Sequence, residues 1–305
     1  VLSFILFVAP FFGAHSFGQA GGEVTSPPKE VLKAAELYQK HCENCHGQNR
    51  LGGLGPALVP ESFSRMKKEE IQKVILSGRP MTQMAGFGSL ISEAQIASLV
   101  DYLLAQPSES IAWGFDEIRK SHIFSLPEET KPVFKSDRFN IFMVVEAGYV
   151  SVLDGDTFKV LTRFKSRFAL HGGIKFSPNG RFAYLASRDG WISTFDIYQL
   201  KVIAEIRVGI NTRNLAVSHD GEYVMVANFL PGSLVLLKAP TLRPVKILEA
   251  KSLEGKSSRV SAVYTAPPRS SFIVAMKDIP EVWEISYKNQ FKPHESTVPA
   301  LITQP

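Results

Sequence analysis

The chain has 305 residues, 45% of them hydrophobic and 21% charged, and contains only two cysteines. That length admits two domains whose cores need no disulfide staples. The formal charge of +5 comes from lysines and arginines scattered along the chain, which excludes a nucleic-acid or membrane-surface footprint and leaves at most a mildly basic face for acidic redox partners.

Residues 1–14 are almost wholly apolar and run into His15-Ser16-Phe17-Gly18-Gln19-Ala20, where the small residues Gly18 and Ala20 approximate a signal-peptidase site. Residues 1–20 are therefore expected to be a secretory signal peptide and 21–28 a loose Gly/Ser/Pro linker. Pro10 and Gly13 interrupt the apolar run, which is also shorter than the about 20 residues of a membrane span. An uncleaved anchor is the alternative. Either way the folded part is expected in an oxidising, periplasmic compartment, without stable membrane insertion. The chain opens on Val1, with no methionine and no basic leader, and so reads as truncated at its start.

Val31, Leu32, Ala35, Leu37 and Tyr38 recur at helical spacing and predict a helix leading into Cys42-Glu43-Asn44-Cys45-His46. Two thiols one helical turn apart can add across the two vinyl groups of a haem, and the histidine that follows is then held beneath the ring to ligate iron. A redox dithiol, a structural disulfide or half of a zinc site are the bland readings of the same spacing. A redox pair belongs at the start of a helix in a βαβ pattern, and a zinc site needs four ligands where only Cys42, Cys45, His41 and His46 cluster.

Gly47 permits a close backbone approach, and Gly52-Gly53-Leu54-Gly55-Pro56-Ala57-Leu58 reads as a loop. A helix is predicted over Lys67–Leu76, with Ile71, Val74 and Ile75 inward, stopped by Gly78 and Pro80. The loop that follows holds Met81 and Met84. A thioether there would complete His/Met ligation and raise the iron potential, although methionine also serves as packing filler. Ser92 then caps a helix with Ile96, Leu99, Val100 and Leu103 on one face. This order of elements over residues 29–106 resembles the small class I monohaem cytochromes c. The resemblance implies that the Pro56 carbonyl fixes the tautomer of His46, and that Met84, lying before Phe87-Gly88, is the sixth ligand in preference to Met81.

Residues 107–138 read as a connecting segment. After residue 139 the period changes to two: runs such as Phe142–Val145, Val150–Leu153 and Phe182–Ala186 alternate with turns at Asp154-Gly155, Pro178-Asn179-Gly180, Asp189-Gly190 and Asp220-Gly221. Asp154 and Asp196 open matching segments 42 residues apart, as do Gly190 and Gly232, while Gly180 and Gly221 match at 41. Several short strands per repeat at this period mark β-propeller blades. Residues 139–305 have room for about four of them. Radial closure usually needs more, so the carboxyl-terminal part of the propeller is expected to be missing.

A cytochrome c followed by a propeller resembles the cytochrome cd1 family, and specific segments carry the likeness. They are Trp113-Gly114-Phe115-Asp116-Glu117-Ile118-Arg119, His171 before Ser177-Pro178-Asn179-Gly180-Arg181, Ser187-Arg188-Asp189-Gly190, Arg259-Val260-Ser261-Ala262 and Glu281–Tyr287. The fold class this implies is an α plus all-β chain: a class I cytochrome c helical domain, then the first part of an eight-bladed cytochrome d1-type propeller over 139–305. It further implies that His171 binds haem d1 iron from the proximal side and that Arg188 and Arg213 hold ring carboxylates, where a planar guanidinium binds two oxygens at once. Without the likeness, His171 is an ordinary turn or core residue.

Nitrite-reducing members carry an arginine and an aspartate where this chain has Val145-Glu146 before Ala147-Gly148. Gly172-Gly173 after His171, and Asn214 after Arg213, are more similar to the haem d1 maturation branch. The expected activity is then oxidation of dihydro-haem d1 to haem d1, with Cys42, Cys45, His46 and Met84 holding a haem c that takes the electrons. Expected partners are haem d1 or its precursor and periplasmic redox proteins, the cytochrome cd1 nitrite reductase among them. A nitrite reductase of the same architecture and a non-enzymatic electron carrier with a docking propeller are the rivals. The resemblance names no catalytic base within the chain.

Overall fold

The computed structural model describes residues 29–106, 113–126, 131–136, 139–146, 148–288 and 298–299. The expected signal peptide and the 21–28 linker lie outside the described residues. Helix α1 (Lys29–His41) runs directly into the short α2 (Glu43–His46), and α3 (Lys68–Ser77) and α4 (Glu93–Leu104) follow. Ser92 caps α4 as its sequence predicts: its Oγ accepts from Gln95 N at 3.3 Å, and Gln95 Oε1 accepts from Ser92 N at 2.9 Å. The faces legible in the sequence close one core, in which Tyr38, Ile71, Ile75, Ile96, Leu99, Val100 and Leu103 are buried.

Arg50, which sequence reasoning passed over, is also buried. Its guanidinium donates to the carbonyls of Tyr102 at 2.7 Å, Leu103 at 3.3 Å and Ala105 at 3.3 Å. A cation on these orphan carbonyls closes the C-terminal end of α4 onto the loop after His46.

The described residues of the segment between the two halves include regular structure. They form α5 (Phe115–Lys120) and β1 (Ile123–Phe124), which adds to the edge of a blade by pairing with a strand eighty residues on, Ile123 opposite Glu205. Beyond it lie β2 (Ile141–Glu146), β3 (Tyr149–Asp154) and β4 (Val160–Lys165), then β5 (Lys175–Phe176), β6 (Phe182–Ala186), β7 (Trp191–Asp196) and β8 (Lys201–Arg207). They are followed by β9 (Asn211–Val217), β10 (Tyr223–Leu230), β11 (Ser233–Lys238) and β12 (Arg243–Glu249), and by β13 (Val260–Ala266), β14 (Ser271–Met276), β15 (Glu281–Ser286) and β16 (Val298–Pro299). Among the described residues they form four antiparallel sheets, in the orders β2-β3-β4, β1-β8-β7-β6-β5, β12-β11-β10-β9 and β13-β14-β15-β16. Four meandering sheets match the room the period allows.

The repeat is written in the backbone as well as in the side chains. Phe158, Leu200 and Leu242 are non-glycine residues with φ of 58°, 53° and 60°, each 42 positions after the last. The carbonyls of Gly148, Gly190 and Gly232 accept from Ser166, Val208 and Ala250 at 2.9, 2.8 and 3.1 Å, again 42 apart. The turns Ser177–Phe182 and Ser218–Tyr223 are built alike: the serine hydroxyl accepts from the N–H of Phe182 or Tyr223 at 2.9 Å and donates to Asn179 or Asp220.

The sheets stack through their apolar faces, with Tyr184, Ile192, Ile206, Leu215, Val226 and Val235 buried in one layer and Met225, Leu234, Val263, Phe272 and Val274 in the next. The two halves of the chain meet where Ala57 and Val59 of the loop after His46 pack with Ile210, flanked by Leu51, Trp113 and Leu230.

Candidate functional site

Cys42 sits at the N-terminal end of α2 and Cys45 within it, both unpaired. The thiol of Cys42 is pushed up to about 11, chiefly by burial and further by its neighbour Cys45. A reactive dithiol needs the opposite shift, so the geometry gives the redox-pair reading no support. Among the described residues no group of three His, Cys, Asp or Glu side chains is arranged to hold a metal ion.

His46 is 7% exposed, and its Nδ1 lies 2.7 Å from the carbonyl oxygen of Pro56. Burial lowers its pKa and the Pro56 bond works against that, so the ring is neutral near pH 7. A carbonyl only accepts, so in that neutral ring Nδ1 carries the hydrogen and Nε2 keeps the lone pair a metal needs. Gly55 supplies a flat bed for the ring: a Cβ there would stand 2.8 Å from His46 Cε1 and 3.0 Å from Nδ1. The loop is pinned by Gly52 N to His46 O and Gly55 N to Cys45 O, both at 2.8 Å. Tyr38 donates its hydroxyl to the Gly47 carbonyl at 2.5 Å.

The two methionines of the next loop are placed differently. Met81 is fully exposed with a positive φ of 62°, whereas Met84 is half-buried. Met84 is also held in place, its N–H on Thr82 Oγ1 at 3.1 Å and its carbonyl accepting from Arg79 N at 2.9 Å.

His171 repeats the arrangement of His46 in the other half of the chain. Its Nδ1 lies 2.7 Å from the carbonyl of Arg213; a carbonyl only accepts, so a hydrogen on Nδ1 would leave the Nε2 lone pair to a metal. Gly172, with φ of 84°, has room for no side chain, because a Cβ would stand 2.7 Å from that of Asn214 and 2.9 Å from the Arg213 carbonyl. Asn214 in turn reaches the next sheet, donating from Nδ2 to Val263 O at 3.0 Å and accepting from Val263 N at 3.1 Å. Gly172 and Asn214, both noted in the sequence, are thus parts of one clamp beside His171, whereas Gly173 has open space around it.

His171, Gly172, Lys175, Arg213, Asn214, Ser261, Ala262 and Tyr264 line a cleft of about 200 Å3. The Nε of Arg213 is buried without a hydrogen-bond partner, while its guanidinium lies over the ring of Phe229, 4.7 Å from the centroid. Burial lowers the pKa of Arg213, and the nearby positive charges of Arg188 and Arg65 lower it further. No carboxylate is paired with any of these three guanidinia among the described residues. A cluster of cations with an orphaned buried N–H is chemically suited to an anion such as a carboxylate. Sequence reasoning missed Arg65 and Lys175, since neither sits in a motif. Glu146, which with Val145 stands where an arginine and an aspartate are expected in nitrite-reducing relatives, is engaged by Arg163 at 2.8 Å and by Ser151.

Residues 136–304 match the model of the cytochrome D1 heme domain, and residues 29–103 match that of the cbb3-type cytochrome c oxidase subunit III. The chain belongs to the cytochrome D1 heme domain family. It is 54% identical over 258 residues to the dihydro-heme d1 dehydrogenase of Pseudomonas aeruginosa, an alignment covering 83% of this chain and 52% of that protein. It is 25% identical over 292 residues to the nitrite reductase of Stutzerimonas stutzeri, covering 88% of the chain and 50% of the reductase. A solved dihydro-heme d1 dehydrogenase in complex with DHE superposes with a TM-score of 0.79 at 51% identity, over 86% of this chain and 58% of that one. The chain thus spans about half the length of the curated relatives it matches. As a member of the D1 heme domain family preceded by a cytochrome c region, it has the fold class its repeats and helices predict.

Proposed function

We propose that the protein is an exported c-type haem oxidoreductase that oxidises dihydro-haem d1 to haem d1 and passes the electrons to haem c. One observation carries the reading: two histidines in separate domains, His46 and His171, each have Nδ1 tied to a backbone carbonyl at 2.7 Å, and the second borders a cation-lined cleft. The 54% identity to a dihydro-heme d1 dehydrogenase supports the choice of substrate.

In this reading residues 1–20 export the chain, 29–106 form the haem c domain, 107–138 connect, and 139–305 belong to the propeller. Cys42 and Cys45 would hold haem c through thioether bonds, and His46 and Met84 would bind its iron. His171 would bind the iron of the tetrapyrrole, and Arg188 and Arg213, joined by Arg65 and Lys175, would hold its carboxylates. When bound, haem c supplies a one-electron acceptor. Desaturating a propionate side chain would release two electrons and two protons: the protons would leave to water, and a one-electron acceptor held at Cys42–His46 would be reoxidised twice per turnover by a periplasmic redox protein. The cytochrome cd1 nitrite reductase is the natural recipient of the finished haem d1.

The test is to mix the full-length, haem c-loaded protein with dihydro-haem d1 and record spectra. Reduction of haem c together with a shift of the d1 bands, both abolished in His171→Ala, is the expected result. Nitrite turnover with a reduced donor and no side-chain desaturation would replace this reading with the reductase one. Failure to bind dihydro-haem d1 would leave only an electron carrier.

A further inference from the structure

Arg207 ends β8 and is 9% exposed; among the described residues no carboxylate lies within ion-pair distance of its guanidinium, although the charge of the buried Asp189 side chain acts on it. Its Nε donates to the Asp189 carbonyl at 2.8 Å, and its Nη2 donates to the Leu51 carbonyl. The guanidinium lies over the Trp113 ring, 4.6 Å from the centroid, and the Trp113 indole returns a bond to the Arg207 carbonyl at 3.3 Å. A second return comes from Ser121, whose hydroxyl accepts from the Arg207 N–H at 2.9 Å. Burying a cation is costly unless its donors are all used well. Here a rigid fork is used on two backbone carbonyls, one from each half of the chain.

Those two carbonyls belong to the two candidate haem sites. Leu51 lies in the loop that returns to His46 through Gly52 N and carries Gly55 and Pro56 against its ring. Asp189 follows Arg188 in the turn Ser187–Gly190. The backbone of that turn sets the position of His171: Arg188 N donates to Ala169 O at 3.1 Å, Leu170 bridges Ser187, and His171 N donates to Ala186 O at 2.8 Å. The same turn accepts from Thr212 N on Arg188 O at 3.3 Å, next to Arg213.

We propose that Arg207 is a positioning residue that couples the tetrapyrrole cleft to the haem c site, so that filling the cleft changes the reduction potential of haem c. The proposal rests on the reading of both sites given above. A carboxylate drawn to Arg188 pulls on the turn, the Asp189 carbonyl moves with it, and the fork transmits that displacement to the Leu51–Pro56 loop. The Pro56 carbonyl sets the basicity of His46, and ligand basicity tunes the iron. By linkage the effect is reciprocal: oxidation state at haem c must change affinity for the tetrapyrrole by the same factor.

The experiment titrates the haem c midpoint potential of the full-length, haem c-loaded protein spectroelectrochemically, with and without haem d1, and in parallel measures haem d1 affinity for the oxidised and reduced protein. The wild type is expected to show a coupling of about five-fold or more, the low end of ordinary coupling between sites. In Arg207→Lys, which keeps the charge and loses the fork, haem d1 still shifts its bands and the coupling falls to unity. Wild-type affinities equal in the two oxidation states overturn the coupling without need of any variant, as does undiminished coupling in Arg207→Lys. If haem d1 gives no band shift with the wild type, the reading of the His171 cleft fails and the coupling falls with it.

Discussion

Replacing Gly55 by alanine tests the geometry at His46 directly. Gly55 does not have a positive φ, so the change adds a methyl group without backbone strain. That methyl would stand 2.8 Å from Cε1 of the His46 ring and 3.0 Å from Nδ1, about 0.6 Å inside ordinary contact at 3.4 Å. Neither side can yield freely. The ring is buried with Nδ1 on Pro56, and the Gly55 backbone is held by its bond to Cys45 O at 2.8 Å and by Gly53 N at 3.0 Å. Overpacking of this kind costs about 1–3 kcal/mol, and weakening one hydrogen bond adds roughly 1 kcal/mol. Taking about 2 kcal/mol, the cytochrome domain should melt roughly 8–16 °C lower, given the sensitivity of a domain of that size. The haem c potential should rise at the same time, because a ring that donates less strongly to Pro56 is a less basic ligand and stabilises ferric iron less. Melting is followed at the haem absorption band and the potential by redox titration. Gly114→Ala, where the nearest atom to the new methyl is 3.5 Å away, is the matched control. A Gly55→Ala protein with the melting point and potential of that control would refute the packing of His46 on the Gly55 backbone.

Met84→Ala should abolish the weak sulfur-to-iron absorption band while Met81→Ala leaves it intact, since Met81 is wholly exposed and Met84 is half-buried and anchored. Asn214→Ala strips the donor and acceptor from Val263, both buried, and should lower stability by about 1–3 kcal/mol in chemical unfolding. The Asp278 carboxyl is held down to about 2, first by its hydrogen bond from Arg259. Because its folded pKa lies below the unfolded value, its contribution is present above about pH 4 and is lost as pH falls toward 2. The pair is partly exposed, so the amount is small, about 0.2–1 kcal/mol, and Asp278→Asn should flatten that part of the stability profile against pH.

Local chemistry was legible in the sequence because it depends on residues close together in the chain. The Cys42–His46 spacing, the Ser92 cap and the 42-residue recurrence of Asp154 and Asp196 follow from side-chain types and one or two turns of backbone. Four sheets and a helical domain could therefore be laid out before any contact was known, and the family likeness pointed to His171, Arg188 and Arg213. The connecting segment was less legible: β1 is two residues long and exists because Ile123 and Phe124 find an edge at Glu205 and Ala204.

The hold of the Pro56 carbonyl on His46 was expected from the cytochrome c resemblance and is found at 2.7 Å; what only the tertiary structure decided is how His171 is held and how the halves meet. His171 depends on a carbonyl 42 residues away and Arg207 on one 156 residues away. A backbone carbonyl is the same in every residue, so a hydrogen bond to it leaves no mark in the sequence of its acceptor. The same holds for Arg65 and Lys175, whose charges matter only because folding brings them near an unpartnered guanidinium nitrogen on Arg213.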